Sequence, residues 1–443
     1  SSSSLRRSSP ARCLATQSHW RQAWEQNRRG RPRPGGWTIG PRHQPQRLRG
    51  SAAPLVPDRP ADRFFVTTIF YRPGARGARI PRETVPVATG ALPPAPSRFF
   101  ASDNAAGAHP AVLDALARAN AGHALAYGVD PLTGEAVEAF RTLFDADVDV
   151  LFAYGGSGAN VLALACMLRP AEAVVCSSAA HIAVDETGAP ERILGAKLID
   201  LPAADGKLTP ELVASVLPLR DSIHHAEPAV VSITQVTELG TLYEPAEIRA
   251  ICDAAHAEGL SVHMDGARIA NATAALGGTR AALRAMTIEA GVDVLTFGGT
   301  KAGGVFGEAV VFLSRAPRFT ARARRVHKQV GQLHSKTRFI AAQYAALPGD
   351  DLFIDLGRRA NAAATRLHGA VADVASLRLG APPRANSLFP TIAQPDRRRL
   401  QDWTFFWDWD AARDQARWMT AWDVTPEDVD AFAAGVRAVL GAA

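Results

Sequence analysis

The stretch VDVLTFGGTKAGG, residues 292–304, joins an apolar run to a turn of small residues that carries one lysine. The apolar run predicts a buried β-strand over residues 292–297, and Gly298, Gly299 and Gly303 surround Lys301. An ammonium group in such poorly hydrated surroundings loses its proton more readily and can act as an amine. Amines of this kind form Schiff bases with carbonyl compounds. A surface lysine on a loop is the alternative that this stretch alone leaves open.

Short apolar runs alternate with helical patterns over most of the chain. The predicted strands are VDVLFAY (148–154), AVVC (173–176), KLIDL (197–201), AVVSITQ (229–235), SVHMD (261–265), VDVLTF (292–297) and EAVVFL (308–313). This alternation predicts an α/β fold with a mostly parallel sheet covered by helices on both faces. From about Ala346 the pattern loosens, and it ends in the helix PEDVDAFAAGVRAVLG. We therefore expect a large domain at residues 98–345 and a smaller α+β domain at residues 346–443.

The first 97 residues differ from the rest in composition. They hold 14 of the 30 prolines, 17 arginines, no lysine and four acids, a net charge of +13, whereas the remainder carries −7. We expect this leader to be disordered, because it cannot bury enough apolar surface to offset its ordering entropy. Its Ser- and Arg-rich start fits an organelle transit peptide, but the proline density argues against the helix that such peptides form. We favour a fused or wrongly translated segment without function over that interpretation and over a basic tail that contacts nucleic acid.

Composition also argues against several classes of protein. The body of the chain is acidic, so we expect it not to bind nucleic acid. No run reaches the roughly 18 apolar residues that a membrane span needs. Cys13, Cys166, Cys176 and Cys252 are scattered and form no CxxC pair. We therefore expect neither a disulfide framework nor a metal site, but the reduced cysteines of a cytoplasmic enzyme.

Chemically useful groups follow several of the predicted strands, where ligands collect in open α/β sheets. The turn GGSG (155–158) enters a helix and would point N–H groups at an anion, although a plain tight turn is an alternative. His181 could stack on a flat ring or move a proton, or be an ordinary core or surface histidine. Asp265 either forms a buried ion pair with Arg268 or holds a proton on a heteroaromatic nitrogen while Arg268 binds a nearby oxygen. Together with Lys301, these groups are the parts that a pyridoxal phosphate site requires.

The same residues lie in longer phrases: FASDN, GHALAYG, GGSGAN, AHIAVDETGAPE, TQVTELGTLY, HMDGARIANA, FGGTKAGG and ARWMTAWDVTPEDVDAF. These phrases resemble the low-specificity L-threonine aldolase family of fold-type-I pyridoxal phosphate enzymes, and the resemblance runs from about Phe99 to the C-terminus. It implies a lyase of amino acid metabolism that releases glycine and an aldehyde from L-threonine, L-allo-threonine and similar β-hydroxy-α-amino acids. It also implies a homotetramer of tight dimers with shared active sites.

The resemblance implies how the cofactor would be held. Lys301 would bind pyridoxal phosphate through a Schiff base, and Asp265 would keep the ring nitrogen protonated. His181 would stack on the ring and take part in catalysis, and Arg268 would contact the phenolic oxygen. The phosphate would be seated by three residues of the glycine-rich turn, namely Gly156, Ser157 and Gly158.

Further residues would contact the amino-acid substrate. Ser102 and Arg417 match positions at which the family binds the substrate carboxylate, and Arg417 would come from the C-terminal domain. Arg268 is a further candidate for a contact with that carboxylate. Tyr127 would line the site from a neighbouring subunit. Lys336 and Arg338 are candidates for another contact between subunits.

One departure from the family concerns the group that takes the substrate's hydroxyl proton. Some members have a histidine after the TQVTELG strand, whereas this chain has Gln235, Thr237 and Glu238 there, so the base is either His181 or a water molecule. Ala302, where many members have Asn, is a smaller departure.

The alternatives are another fold-type-I activity, such as a β-eliminating lyase or a decarboxylase, and a non-catalytic protein that kept the fold. A cofactor-free Schiff-base aldolase would need neither Asp265 nor the phosphate turn, which makes it the weakest of the three.

Overall fold

A computed structural model of the chain describes residues 92–313 and 317–441, with no description of the side chains of residues 317 and 318. Most of the leader, residues 1–91, lies outside this range, and so does the prediction that it is disordered. Among the described helices, none combines the length and the hydropathy that crossing a membrane requires.

The main sheet contains seven strands from the described residues, and together they match the seven predicted strands with bounds shifted by at most two residues. They are β1 Asp149–Ala153, β2 Glu172–Ser177, β3 Lys197–Leu201, β4 Glu227–Thr234, β5 Ser261–Gly266, β6 Val294–Phe297 and β7 Glu308–Phe312. Their order is β1-β7-β6-β5-β4-β2-β3. Within the described sheet, β7 is the one strand that runs opposite to the other six, so the predicted mostly parallel sheet is confirmed.

Helices connect and cover these strands. They are α1 Pro110–Ala119, α2 Pro131–Phe144, α3 Gly156–Met167, α4 His181–Val184, α5 Ala189–Leu194, α6 Pro210–Ser215, α7 Pro245–Ala257, α8 Ile269–Ala275, α9 Arg280–Ala285, α10 Pro317–Gln329, α11 Arg338–Ala346, α12 Leu352–Val371, α13 Gln394–Trp403 and α14 Pro426–Leu440. Helix α7 illustrates why they form where they do. Pro245 occupies its first turn, Glu244 and Glu247 form a capping box, and Gly259 follows with a φ of +73°.

The two faces of the main sheet are buried under different helices. Val262 and Met264 of β5 belong to one apolar cluster, whereas Val230 and Val294 belong to the cluster that includes α3. Side chains alternate along a strand, so Asp265 points to the face covered by α3. This alternation decides which helix can contact the residues at the end of β5.

A second, smaller sheet lies in the C-terminal part. Within the described residues it contains β8 Ser387–Leu388, β10 Gln415–Met419 and β9 Trp407–Asp410, all antiparallel and in that order. Trp418 and Phe432 are buried in its core with rings 5.0 Å apart. This sheet matches the α+β character expected of the C-terminal part.

The N-terminal segment crosses to this smaller sheet. Phe100 stacks on Phe432 with ring centroids 4.2 Å apart, and its carbonyl accepts a hydrogen bond from Met419 N at 2.9 Å. Ser97 Oγ donates to Asp428 at 2.7 Å, and Pro93 O accepts from Trp403 Nε1 at 2.8 Å. Residues 93 and 97 belong to the segment assigned to the leader, so the packed chain begins before the expected residue 98.

Candidate active site

The carboxyl ends of β5 and β6 lie side by side at one edge of the main sheet. The two strands are parallel, with Asp265 opposite Thr296. Lys301 is in the 3-10 turn Thr300–Ala302 that follows β6, and its charge acts on Asp103 and Glu308. The fold therefore brings Lys301 and Asp265, which are 36 residues apart in the sequence, to the same edge.

Close packing of small residues fixes the turn that carries Lys301. A Cβ atom on Gly299 would lie 2.5 Å from Tyr344 Oη, and Gly303 has a φ of +89° that favours glycine. Gly299 N donates to Glu308 Oε2 at 2.6 Å, and burial raises the pKa of the Glu308 carboxyl. These contacts restrict the backbone conformation of the turn and so hold Lys301 in place.

Two hydrogen-bond donors fix the carboxylate of Asp265, whose residue is 4% exposed. Ala267 N donates to Oδ1 at 2.9 Å, and Asn160 Nδ2 donates to Oδ2 at 2.8 Å. Arg268 forms no ion pair with Asp265 within the described part of the chain, so the alternative in which these two residues neutralise each other is wrong. The reason is that Arg268 is held by a different carboxylate.

Asn160 links Asp265 to the pair formed by His181 and Glu186. Its Nδ2 also donates to Glu186 Oε1 at 2.9 Å, and the same oxygen lies 2.8 Å from His181 Nδ1. Burial would lower the pKa of His181, but the hydrogen bond that it donates to Glu186 and the charges of Glu238 and Asp265 outweigh burial and raise the pKa.

Sequence reasoning missed Asn160 and Glu186, although both lie in the quoted phrases GGSGAN and AHIAVDETGAPE. The signal that could have found them is a polar side chain close behind a predicted site residue. Asn160 comes two residues after Gly158, and Glu186 comes five residues after His181.

Arg268 is buried against Asp103. Its Nε and Nη2 atoms lie 2.7 and 3.1 Å from the two carboxylate oxygens, and Asn386 Nδ2 donates to Oδ2 at 3.0 Å. Burial would raise the pKa of the Asp103 carboxyl, but the charges of Arg268 and Lys301 prevail and lower it to about 2. Asp103 thus joins the N-terminal segment, the main sheet and the C-terminal part at the site.

Arg417 approaches the same group of charges from β10. Its guanidinium lies 5.2 Å from the centroid of the Trp409 ring, and its buried Nε has no hydrogen-bond partner among the described residues. Burial and the charge of Arg268 lower the pKa of Arg417, while the charges of Asp103 and Glu238 act in the opposite direction. The arrangement leaves a guanidinium donor available to an anion.

The glycine-rich turn begins helix α3, on the face to which Asp265 points. Gly155 is its N-cap, and no described side chain caps the helix there, so the N–H groups of Gly156, Ser157 and Gly158 are available to an anion. A Cβ atom on Gly158 would lie 2.3 Å from Gln332 Oε1, which also accepts a hydrogen bond from Tyr154 N. Gln332 therefore closes the space beside the turn.

Ser102 directly precedes Asp103, whereas Tyr127 has no contact with the charged residues of the site among the described residues. The Ser102 hydroxyl accepts from Asn104 N at 3.2 Å, beside Asp103. Tyr127 is 51% exposed, and Lys328 Nζ lies 4.6 Å from its ring centroid.

Lys336 and Arg338 likewise lie away from the cluster. Lys336 is exposed, and Arg338 Nη1 donates to Gly122 O at 3.4 Å. The roles suggested for Tyr127, Lys336 and Arg338 concern a second copy of the chain, and they stay predictions.

The residues that come together fit pyridoxal phosphate. Each part of the cofactor has a suitable protein group here. A carboxylate suits the ring nitrogen, an imidazole suits the ring face, an amine suits the aldehyde and a helix N-terminus suits the phosphate. Asn160 Oδ1 and Glu186 Oε2 are buried without a hydrogen-bond partner in the part of the chain that the structure describes. Such unfilled polar atoms are typical of a site built for a further molecule.

Comparisons with known proteins agree with this chemistry. The family model described as beta-eliminating lyase matches residues 100–395. The chain is 42% identical over 351 residues to a low specificity L-threonine aldolase from Pseudomonas sp. (strain NCIMB 10558), covering 78% of this chain and 99% of that protein. A protein of the same name from Pseudomonas aeruginosa is 42% identical over 348 residues, covering 77% of this chain and 98% of that protein.

A solved structure supports the same relationship. The threonine aldolase of Leishmania major superposes with a TM-score of 0.71 at 31% identity, covering 77% of this chain and 99% of that chain. The fold, the pyridoxal phosphate chemistry of the clustered residues and the near-complete coverage of these relatives lead to one assignment. The chain belongs to the beta-eliminating lyase family and, within it, to the low-specificity L-threonine aldolases, which are pyridoxal-phosphate-dependent lyases.

Proposed function

We propose that the chain cleaves L-threonine, L-allo-threonine and similar β-hydroxy-α-amino acids to glycine and an aldehyde. The observation that carries the proposal is the meeting of Lys301 and Asp265 at one sheet edge, close to the under-bonded guanidinium of Arg417. The names of the Pseudomonas and Leishmania relatives support the choice of substrate.

Each residue of the cofactor site has a distinct task. Lys301 would bind the aldehyde carbon of pyridoxal phosphate, and Asp265 would hold a proton on the ring nitrogen. His181, oriented by Glu186, would cover one face of the ring. The N–H groups at the start of α3 would bind the phosphate. When bound, the cofactor supplies an acceptor for the electron pair of a broken bond at the substrate's Cα.

Arg417 and Arg268 would position the substrate. A planar guanidinium can bind a carboxylate through two parallel hydrogen bonds and thereby fix the rotation of the amino acid. The hydroxyl of Ser102, the residue before Asp103, would add a further contact to the substrate. The rotation decides which bond at Cα stands perpendicular to the ring, and positioning of this kind contributes several kcal/mol to barrier lowering.

The test combines a label with a product assay. The purified protein is expected to be yellow, to lose its colour on borohydride reduction and to carry the label on Lys301. It is expected to release acetaldehyde and glycine from L-threonine. The Lys301→Ala variant is expected neither to carry the label nor to release these products. Colourless protein that gains nothing from added pyridoxal phosphate would instead support the non-catalytic alternative.

A second candidate function is β-elimination, which the description of the matching family model favours. The two activities share the cofactor site and differ in the bond that breaks. Release of pyruvate and ammonia from L-serine or L-cysteine, without aldehyde from L-threonine, would select the lyase over the aldolase.

The active protein is proposed to be a homo-oligomer. Tyr127 and Tyr154 are large, exposed side chains that flank the same segment: Tyr127 N donates to Ser335 O, and the ring of Tyr154 lies 4.9 Å from that of His334. A second copy covering this surface would bring Tyr127 to a neighbouring site. Light scattering is expected to give a dimer or a tetramer, and a monomer would contradict the proposal.

We further propose a cytoplasmic location and a division into domains at residues 98–345 and 346–443. The buried Cys166 and Cys176 form no disulfide within the described residues, which supports the location. The two separate sheets support the division.

A further inference from the structure

Glu238 lies in a tightly bonded turn that follows β4. Thr237 N donates to Thr241 O at 3.0 Å, and Gly240 N donates to Thr237 O at 2.9 Å. The Thr241 hydroxyl donates to Asp205 O at 2.6 Å. These bonds hold the backbone from which the Glu238 side chain extends.

The side chain of Glu238 is largely buried and has few partners among the described residues. Its side chain is 7% exposed, and its nearest cation is Arg268, with Nη1 3.9 Å from Oε2. None of the hydrogen bonds among the described residues reaches this carboxylate, whereas those of Asp103, Asp265 and Glu186 all accept hydrogen bonds. A largely buried carboxylate with unused hydrogen-bond capacity is able to accept a hydrogen bond from a ligand that enters the site.

Service as a counter-ion to Arg268 does not explain Glu238. Asp103 already accepts two hydrogen bonds from that guanidinium, at 2.7 and 3.1 Å. The charge of Glu238 also acts on His181 and Arg417, so its carboxylate lies within electrostatic range of the groups assigned to the ring and to the substrate carboxylate. It therefore lies beside the place where the rest of the substrate would be.

We propose that Glu238 accepts the hydrogen bond of the substrate's β-hydroxyl group and takes its proton as the Cα–Cβ bond breaks. This inference rests on the proposed aldolase function. The O–H electron pair forms the carbonyl of the departing aldehyde, and the Cα–Cβ pair stays with the glycine portion. Cα then takes one proton from solvent and Glu238 releases to solvent the one that it received, so the reaction is balanced.

The same contact would select substrates by their hydroxyl group. A site built to bond a hydroxyl rejects analogues that lack it, because its own polar group is then left unpaired. Glu238 would thus act both as a proton acceptor and as a determinant of specificity.

The first test compares two reactions of the holoenzyme, cleavage of L-threonine and exchange of the glycine α-hydrogen in deuterated water followed by NMR. Both use Lys301 and Arg417, but glycine has no β-hydroxyl. A positioned general base contributes about 10²-fold to 10⁴-fold to a rate. In Glu238→Gln, cleavage is therefore expected to fall about 100-fold further than exchange does.

The outcomes of this test separate the two proposals. Equal losses in both reactions would show a structural role and overturn the assignment of Glu238. A wild-type protein that exchanges glycine but does not cleave L-threonine would overturn the aldolase function itself.

The second test needs no turnover. (R)-3-Hydroxybutyrate, which has the hydroxyl configuration of L-threonine, and butyrate carry the carboxylate with and without the hydroxyl group, and neither has the amine that the reaction needs. The holoenzyme is expected to bind the hydroxy acid about 10-fold more tightly by ligand-observed NMR, because a hydrogen bond to a charged group is involved. Glu238→Ala is expected to lose this preference.

Glu258→Ala is the matched control. Glu258 Oε2 also lies 3.9 Å from an arginine, Arg220, but half of its side chain is exposed. The control is expected to keep the preference for the hydroxy acid. A preference that survives in Glu238→Ala would overturn the proposal.

Discussion

Arg268 donates two hydrogen bonds to Asp103, from Nε to Oδ2 at 2.7 Å and from Nη2 to Oδ1 at 3.1 Å, across 165 residues of sequence. The pair is buried, and it satisfies a guanidinium that one of the two interpretations of the sequence pairs with Asp265. Asp265 is left with an amide and a backbone N–H as its donors. Its carboxylate therefore keeps the capacity to bind a protonated ring nitrogen.

Breaking this pair is expected to destabilise the fold strongly. Asp103→Asn removes the carboxylate that accepts two hydrogen bonds from the buried Arg268, and the loss of one partner of a buried pair costs about 3–5 kcal/mol. Urea unfolding measures the change in the free energy of unfolding. Asp373→Asn, which breaks a pair with Arg437 at the surface, is the control and is expected to have a much smaller effect. Similar losses in both variants would contradict the prediction.

Asp103 also predicts how stability changes in acid. Its pKa is about 2 in the folded protein, against an ordinary value of 3.8. A lowered folded pKa contributes stability that is present above pH 3.8 and is lost as the pH falls toward 2. Unfolding free energies measured across this range are expected to fall with pH in the wild type. The decline is expected to be shallower in Asp103→Asn, and parallel curves would count against this origin.

Glu186 is expected to set the protonation of His181. Because the Glu186 hydrogen bond raises the pKa of His181, Glu186→Gln is expected to lower it, as followed by NMR titration of the imidazole ring protons. The raised pKa contributes stability that is present below the ordinary value of 6.5 and is lost as the pH rises through the folded pKa. Glu191→Gln, at an exposed position, is the control. An unchanged His181 titration in Glu186→Gln would refute the assignment.

Arg417→Ala is expected to lower kcat/KM for L-threonine while the cofactor stays bound. Two charge-assisted hydrogen bonds to the substrate carboxylate would be lost, which corresponds to about a 100-fold to 1,000-fold decrease. Steady-state kinetics and the absorbance of bound cofactor give the two quantities separately. Arg398→Ala removes an arginine that pairs with Asp408 and is half exposed, and it is expected to change neither. Loss of cofactor with normal processing of substrate would show that the role given to Arg417 is wrong.

Two glycine substitutions are expected to have opposite effects on stability. The Cβ atom of Gly299→Ala would lie 2.5 Å from Tyr344 Oη, which is held by a hydrogen bond to Gly307 O. Such overpacking costs about 1–3 kcal/mol. A Cβ atom on Gly369 in helix α12 meets nothing within 4 Å, so Gly369→Ala is expected to stabilise the protein by about 0.5–1 kcal/mol. Thermal unfolding of both variants distinguishes a packing effect from a general tolerance of alanine.

The parts of the molecule that the sequence predicts are those set by local pattern. The strand before Lys301 and the strand that contains Asp265 are short apolar runs between turns. Such runs are typical of buried strands. Parallel strands bring their carboxyl ends together, so the position of both residues at one edge followed from the fold class. The same argument led from the glycine-rich turn to the N-terminus of α3.

The parts that the sequence does not predict depend on distant contacts. Nothing near Asp103 indicates that it binds Arg268 and Asn386, since the second of these is 283 residues away. The sequence marks Glu238 only as one of the residues present where some family members have a histidine. Its burial depends on how distant segments pack together. Local periodicity carries no information on which loops meet, and these contacts depend on that.

The backbone hydrogen bond from Met419 N to Phe100 O has a consequence for biosynthesis. A ribosome releases the chain from its N-terminus, so Phe100 and Asp103 emerge long before the residues that hold them. The pocket is therefore among the last regions to be completed, after nearly the whole polypeptide has left the exit tunnel. We therefore expect vitamin B6 to bind after translation of this chain and not during it.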